Sequence, residues 1–462
     1  MSRIASADSS DITEGLAKIR EQFSLPASFP PEVIEAARVA VARPVGDEHV
    51  DRTNLPFVTL DPATSTDLDQ AFCLERAADD LILRYAIADV GWFVRPGDAL
   101  DREAWARGTS FYLPDGKVNL YPPELSEGAA SLLPDGPRPA VVFTVRLDSE
   151  GTPSLDGVER AIVRSRAKLA YDSVTADQLP AAVPEFAVRM AAAEQRRGAA
   201  RVDPPEQEVS RDGGRYRISY RPRLESENTN AALSLATNLA VADALHRAGT
   251  GLFRVMDEPD ERAIRRLRLT ARALGVPWPS DVALDVFERT LQPADPSHGA
   301  IMLAIRRAGG GARYEPFHAD VVPWHAAIAA TYAHATAPLR RLADRHVVLA
   351  SLAIATGHAV SVDLSEAFVA LSEAMQRADA KGSQIDRAVI DLVEAVVLHG
   401  NEGDTFVAIV TDVDDRGARI QLCDVAVVAR ISAPNLEPGD EVRVKLVEAN
   451  PADRTVRFER VA

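Results

Sequence analysis

At 462 residues and 49.8 kDa the chain is longer than one ordinary domain, and its 46% hydrophobic and 26% charged content is that of a folded protein with a full core. With 52 basic against 68 acidic residues it lacks the overall basic field of a non-specific nucleic-acid binder, although a basic channel inside an acidic shell stays compatible with that balance. No run reaches the roughly 18 apolar residues of a membrane helix, the start MSRIASADSSDITEG lacks the flank and apolar stretch of an export signal, and Cys73 and Cys423 are too few for a disulfide framework or a cysteine zinc site.

A cytoplasmic protein with no membrane partner is therefore expected. Lysine occurs five times, at 18, 117, 168, 381 and 445, so nearly all basic residues are arginine, whose forked donors suit phosphate.

Residues 1–48 read as helix, turn, helix. Asp11, with Glu14 three positions on, is the expected N-cap of a helix running to Phe23. SLPASFPP interrupts the pattern, and Glu32–Ala42 forms a second short helix after the prolines. Such a unit serves as a packed arm or as a helix-turn-helix-like element; Arg3, Lys18 and Arg20 are its basic residues before Arg38. From Phe57 to Asp148 strands dominate, among them Leu81–Val90 and Ala140–Leu147. From Glu159 to Gly400 helices dominate, with long apolar segments at Asn228–Gly249, Thr331–Thr356 and Leu364–Gly400. Beyond Glu402, FVAIVTDV, GARIQLC, VAVVARI, EVRVKLVEA and TVRFERV are five short strands separated by turns, the arithmetic of a small OB barrel. Phe406 and Phe458 are its aromatics, which supports a base-stacking platform only weakly.

The densest chemical signal is TLDPATSTDLDQAF, where Asp61, Asp67 and Asp69 fall within nine positions of a loop following a strand. Two carboxylates ~4 Å apart repel by about 4 kcal/mol at a typical effective dielectric. Solvent, protonation or a divalent cation with hard oxygen ligands must offset that. A turn whose acids cap backbone groups is the other interpretation of the same string. The second signal is YAHATAPLRRLADR. Here Pro338 is expected to open a helix whose first turn carries Arg340 and Arg341, either a phosphate corner or an Arg340–Asp344 pair on a solvated face. His318, His325, His334 and His346 crowd the same region without a zinc-ligand spacing and are expected to be buried or capping.

Together these strings resemble the RNB family of exoribonucleases, the family of ribonuclease II and ribonuclease R. YAIADVGWFVRPGDALDREAWARGTSFYLPDG, YPPELSEGAASLLPDGPRPA and RAIVRSRAKLAYDSV join the two above, in the family's order, over roughly residues 50–400. The tail resembles the S-one-type OB fold that closes many members. The fold implied is α+β: an N-terminal helical segment at 1–48, a large mixed α/β RNB catalytic domain at 49–400 and a five-stranded OB-fold RNA-binding domain at 401–462.

The resemblance implies magnesium-dependent, processive 3′→5′ hydrolysis of single-stranded RNA to nucleoside 5′-monophosphates, by a monomer that takes RNA with a free 3′ end. By motif position, Asp61 is implied as a metal ligand, Asp67 as a supporting carboxylate and Asp69 as a metal ligand on which hydrolysis most depends. Arg340 matches the arginine at the cleaved phosphate, Tyr112 the tyrosine stacking on the 3′ end, and Tyr171 the tyrosine that favours RNA over DNA.

Three departures stand out. Gln70 replaces the second of two adjacent aspartates, offering an oxygen ligand without charge. Thr250 falls where a second stacking aromatic belongs, leaving Phe253 as the nearest candidate. Asp386 stands where a glutamate is expected near the active-site arginine. The family's pair of N-terminal cold-shock domains has no counterpart in the 48 residues before the match, so a wider RNA entrance, open to structured RNA with a 3′ overhang, is expected. The competing expectations are a catalytically weak RNB-fold RNA-binding or regulatory protein and a DNA-binding regulator using the N-terminal helices.

Overall fold

The computed structural model describes every residue except 1–5, 8, 200–205, 213–214, 222, 293–294, 415–416, 433–434 and 462; Arg3 thus lies outside the described residues. Two helices open the chain, α1 (Ser9–Gln22) and α2 (Pro31–Val41). The first starts two residues before Asp11, which sits in its opening turn instead of capping it. Pro31 opens α2, where its missing N–H costs nothing. The pair does not form a free recognition unit. Ile12, Leu16 and Ile19 of α1 and Val33, Ala37 and Ala40 of α2 are buried in two different apolar clusters, which removes the basis for a DNA-reading module.

A seven-stranded sheet carries the middle of the chain: β1 (Val50–Asp51), β2 (Phe57–Asp61), β3 (Gln70–Ala77), β4 (Asp80–Ala88), β7 (Arg138–Leu147), β8 (Pro153–Val163) and β9 (Ser165–Ala170). Between β4 and β7 lies a separate hairpin of β5 (Phe111–Leu113) and β6 (Gly116–Val118). The sheet order is β9-β2-β3-β4-β7-β8-β1, an antiparallel meander whose two edge pairs are parallel. Leu81, Leu83, Tyr85 and Ile87 alternate toward the main core from β4, and Val141, Phe143, Val145 and Leu147 do so from β7. Leu81–Val90, expected as strand throughout, ends at Ala88, because Asp89 accepts from Trp92 N and caps a short helix.

The long apolar segment at 228–249 is helix α3 (Glu225–Arg247), buried across β7 and β8 with Leu233, Ala236, Leu239 and Leu245 in the core. The region after Glu159 holds more strand than expected, including a hairpin of Glu206–Asp212 with Arg215–Arg221 and the strand Leu252–Val255. Helix α4 (Glu261–Ala273) follows, and later α5 (Leu342–Ala355) and the 37-residue α6 (Val362–Leu398). No helix among the described residues is long and apolar enough to cross a membrane.

All five strands expected near the C-terminus are present as β10 (Thr405–Asp414), β11 (Gly417–Leu422), β12 (Val428–Ile431), β13 (Glu441–Asn450) and β14 (Thr455–Arg460), ordered β12-β11-β10-β13-β14. Val410, Ile420, Val444, Leu446 and Phe458 fill the barrel, and Phe406 packs edge-on to Phe458. Its aromatics thus serve the barrel core rather than a base platform.

Gly439 shows how closely the barrel seats on the body. Its φ is +95°, and a Cβ there would lie 2.3 Å from the Ala273 carbonyl oxygen at the end of α4. Gly439→Ala should lower stability by about 1–3 kcal/mol in urea unfolding. Unfolding indistinguishable from the parent would show that this junction yields freely.

Candidate active site

The acidic loop is framed by β2 and β3, which pair only at Val58 and Phe72 before diverging. Carried outward, that register sets Asp61, the last residue of β2, against Asp69, the residue before β3. The loop between them is held from outside. Ser131 Oγ donates to Thr66 O at 2.7 Å and accepts from Leu68 N at 2.9 Å, while Leu68 itself is buried and bonded to Leu132 N at 3.0 Å. Asp69 O accepts from Ala88 N at 2.9 Å, fixing the loop's exit to β4.

Three loops meet here, all stitched by backbone groups. Asp69 Oδ1 accepts from Leu339 N at 2.7 Å, and Arg340 Nε lies 3.4 Å from Asp69 Oδ2. The Arg340 carbonyl accepts from Ser110 N at 3.0 Å and Thr109 Oγ1 at 2.7 Å. Thus the GTSFY segment clamps the arginine's backbone while Asp69 holds its head. The Arg340 side chain keeps 43% of its surface exposed, so it faces the opening. The helix expected at Pro338 begins only at Leu342, because Asp344 folds back to accept from Ala337 N at 2.7 Å and keeps residues 337–341 in a turn. Asp344 also takes Arg341, through Nε at 2.9 Å and Nη2 at 2.8 Å, in place of the expected Arg340–Asp344 pair. Two adjacent arginines therefore do different work: Arg341 ties the turn to the helix, and Arg340 is presented to the site.

Burial pushes the Asp61 carboxyl up to about 6 and Asp69 up to about 7, in each case against the opposing pull of the Arg340 guanidinium. Asp61 Oδ2 is enclosed with no hydrogen-bond partner among the described residues. An orphaned, desolvated carboxylate oxygen beside a second buried carboxylate is a donor set that a hard divalent cation fits. The charge of Asp67 adds to the upward push on Asp61, while its own oxygens are held by other partners. Asp67 Oδ1 accepts from Lys117 Nζ at 2.7 Å and its Oδ2 from Tyr112 Oη at 3.0 Å. No set of three acidic, histidine or cysteine side chains able to hold a metal ion occurs among the described residues. Gln70, expected as a neutral ligand, turns its amide oxygen to the Tyr85 hydroxyl.

Tyr112 stands 52% exposed on the β5–β6 hairpin. Phe111, Leu113 and Val118 of that hairpin pack with Ile12, Leu16 and Ile19 of α1 and Leu392 of α6, and Arg20 Nη2 reaches Asp115 Oδ1 at 2.8 Å. Tyr171 follows β9; its hydroxyl accepts from Asn230 Nδ2 at 2.7 Å and its carbonyl from Ser226 Oγ at 2.7 Å, both from α3. Phe253 is a correction. It is 0% exposed, with the His246 ring edge-on at 6.2 Å, and cannot present a face to a ligand. Asp386 is exposed on α6, and the carboxylate observed at the Arg340 guanidinium is that of Asp69. Burial holds His325 down at about 4 and His346 at about 3, and His334 well below its usual range, so these rings are neutral; His334 Nδ1 meets Tyr314 Oη at 2.7 Å. Lys117 and Asn230 lie outside every motif that pointed to the site, and Ser131 lies in the string YPPELSEGAASLLPDGPRPA without having been singled out; lysine's rarity was the one available hint for Lys117.

The RNB domain model matches residues 49–351, which contain every one of these loops. The chain belongs to the RNB family. The model for the RNase II-type exonuclease C-terminal S1 domain matches residues 404–461, the five-stranded barrel. Among RNB relatives, Ribonuclease R of Aquifex aeolicus is 26% identical over 498 residues, covering 96% of this chain and 70% of that protein. The apo form of Mycoplasma genitalium RNase R superposes with a TM-score of 0.87 at 20% identity, over 98% of this chain and 78% of the other. Yeast Ssd1, described as a pseudonuclease, superposes at 0.69 and 16% identity, over 98% and 58%. These two likenesses speak for the fold.

The two arginines give a direct test of the turn. Arg341→Met strands the fully buried Asp344 and should cost about 3–5 kcal/mol in urea unfolding. Arg340→Met should cost no more than about 1 kcal/mol. Equal losses would show that the division of labour is wrong.

Proposed function

We propose that the chain is a divalent-metal-dependent 3′→5′ exoribonuclease, with magnesium as its ordinary ion, acting on single-stranded RNA and releasing nucleoside 5′-monophosphates processively. The observation that carries this is the pairing of half-buried Asp61 and buried Asp69 with an Arg340 whose backbone is clamped and whose head is open. Asp61 and Asp69 would hold the ion, which when bound supplies a polarised water and charge compensation at the phosphate.

The remaining chemistry belongs to the chain. Arg340, with its guanidinium partly exposed toward the opening, binds the non-bridging oxygens of the scissile phosphate and offsets charge that grows during displacement. Asp69 orients that guanidinium, and Leu339 N keeps Asp69 from rotating away. Tyr112 offers a ring face to the 3′-terminal base, where aromatic stacking contributes about 1–3 kcal/mol per base. Tyr171, steadied by Asn230, is placed to sense the 2′-hydroxyl that distinguishes RNA from DNA.

The likeness to a pseudonuclease, with Gln70 in place of an acid, supports a second reading: an idle RNA-binding protein. Mutual contact of Asp69 and Arg340 and the enclosed Asp61 favour the active one, since binding alone requires no desolvated carboxylates. End-labelled linear and circular RNA of one sequence separates the two. The parent should shorten linear RNA from its 3′ end and leave the circle intact. Asp69→Asn retains an oxygen for Leu339 N, so it should fold and bind RNA while turnover falls by about two to four orders of magnitude, roughly 3–5.5 kcal/mol of barrier. A folded Asp69→Asn protein degrading at the parental rate would overturn the assignment, and a parent that binds but never shortens RNA would favour the idle reading.

A further inference from the structure

Lys117 is the feature that the proposed chemistry leaves unused. It sits on β6 in register with Tyr112 across the hairpin. Its Nζ lies 2.7 Å from Asp67 Oδ1, 3.1 Å from Glu127 Oε1 and 3.1 Å from Thr66 Oγ1. Two carboxylates and a hydroxyl around one point are hard oxygen donors of the type that hold a divalent cation. An ammonium occupies that point instead. The choice of lysine in a chain so dominated by arginine fits the geometry, because three divergent oxygens suit three rotatable N–H donors and not a planar fork. Asp67 is only 9% exposed in its side chain, and each of its oxygens already accepts a hydrogen bond. Glu127 is engaged on both sides as well, by Thr66 Oγ1 at 2.8 Å and Asn119 Nδ2 at 2.7 Å.

We propose that Lys117 is a positioning residue whose ammonium takes the place of a second divalent ion beside the catalytic one, so that the site binds a single ion and the Tyr112 hairpin is held by an internal cation. This rests on the reading of Asp61 and Asp69 as an ion site. Two-ion sites place their cations ~3.5–4 Å apart and need shared carboxylates. Here Gln70 carries no charge, Asp67 is consumed by Lys117, and two carboxylates remain, which suffices for one ion together with waters and a substrate phosphate. Gln70 and Lys117 then act in one direction, each lowering the negative charge available for a second ion. Because Asp67 also accepts from Tyr112 Oη, the internal cation fixes the ring's position whether or not metal is present.

The test is the number of Mn²⁺ ions bound by the full-length protein, measured by titration calorimetry and by the free-Mn²⁺ electron paramagnetic resonance signal, with no RNA present. The parent should bind one ion whose binding is lost in Asp61→Asn. Lys117→Met removes the ammonium and should raise the number to two, with the second ion lost again when Asp67→Asn is added. Lys117→Gln is a second neutral variant with the same expectation should the methionine protein fold poorly. Lys117→Arg keeps the charge and should return the number to one. Two ions in the parent, or one ion in both folded neutral variants, would overturn the proposal. No Mn²⁺ bound by the parent would instead overturn the ion-site reading on which it rests.

Discussion

Everything at the centre of this molecule follows from two carboxylates held where water is scarce. Asp61 and Asp69 are drawn out of solvent by the divergence of β2 from β3, and that desolvation favours their neutral forms. The chain answers mainly with Arg340, joined by the charge of Lys168 at Asp61 and of Arg341 at Asp69, and leaves Asp61 Oδ2 without a partner among the described residues. A site with too little internal positive charge for its buried acids is poised to accept a cation. The surrounding contacts serve to keep it so: Leu339 N on Asp69, Ser110 N and Thr109 Oγ1 on the Arg340 carbonyl, and Ser131 on the loop between the acids.

The same contacts explain how distant segments come to share one site. The Arg340 turn persists because Asp344 bonds both Ala337 N and Arg341, and the β5–β6 hairpin persists because α1 and α6 bury its apolar side. The N-terminal helix therefore belongs to the support of Tyr112, joined to it by a core shared with Phe111, Leu113 and Val118 and by the Arg20–Asp115 bridge. The position of Tyr112 is thus coupled to the packing of an element far from it in sequence.

Much of this was legible in the chain. The five barrel strands declare themselves by period-two alternation between turns, and the acidic loop by three aspartates within nine residues. The long buried helix α3 shows in a segment with Ala, Leu and Val on most of its faces. What escaped was long-range or set by competition between neighbours. Nothing local distinguishes Arg340 from Arg341; Asp344, reaching back to Ala337 N, decides which one is internal. Phe253 lies near the expected position of a stacking ring, yet the strand Leu252–Val255 turns it into the core. Lys117 meets Asp67 across fifty positions of chain, a pairing with no periodic signature. The helix expected from Pro338 starts four residues late for the same reason: a side-chain acceptor outbids the next helical turn.

The most direct measurement of the central claim is the anomalous scattering of Mn²⁺ in crystals of the protein grown with the ion. The account predicts a peak bonded to Asp61 Oδ2 and a carboxylate oxygen of Asp69, on the side of Arg340 open to solvent, with Lys117 still seated on Asp67. A peak centred on Asp67 with Lys117 displaced, or no peak near Asp61 under conditions where the protein degrades RNA, would contradict it.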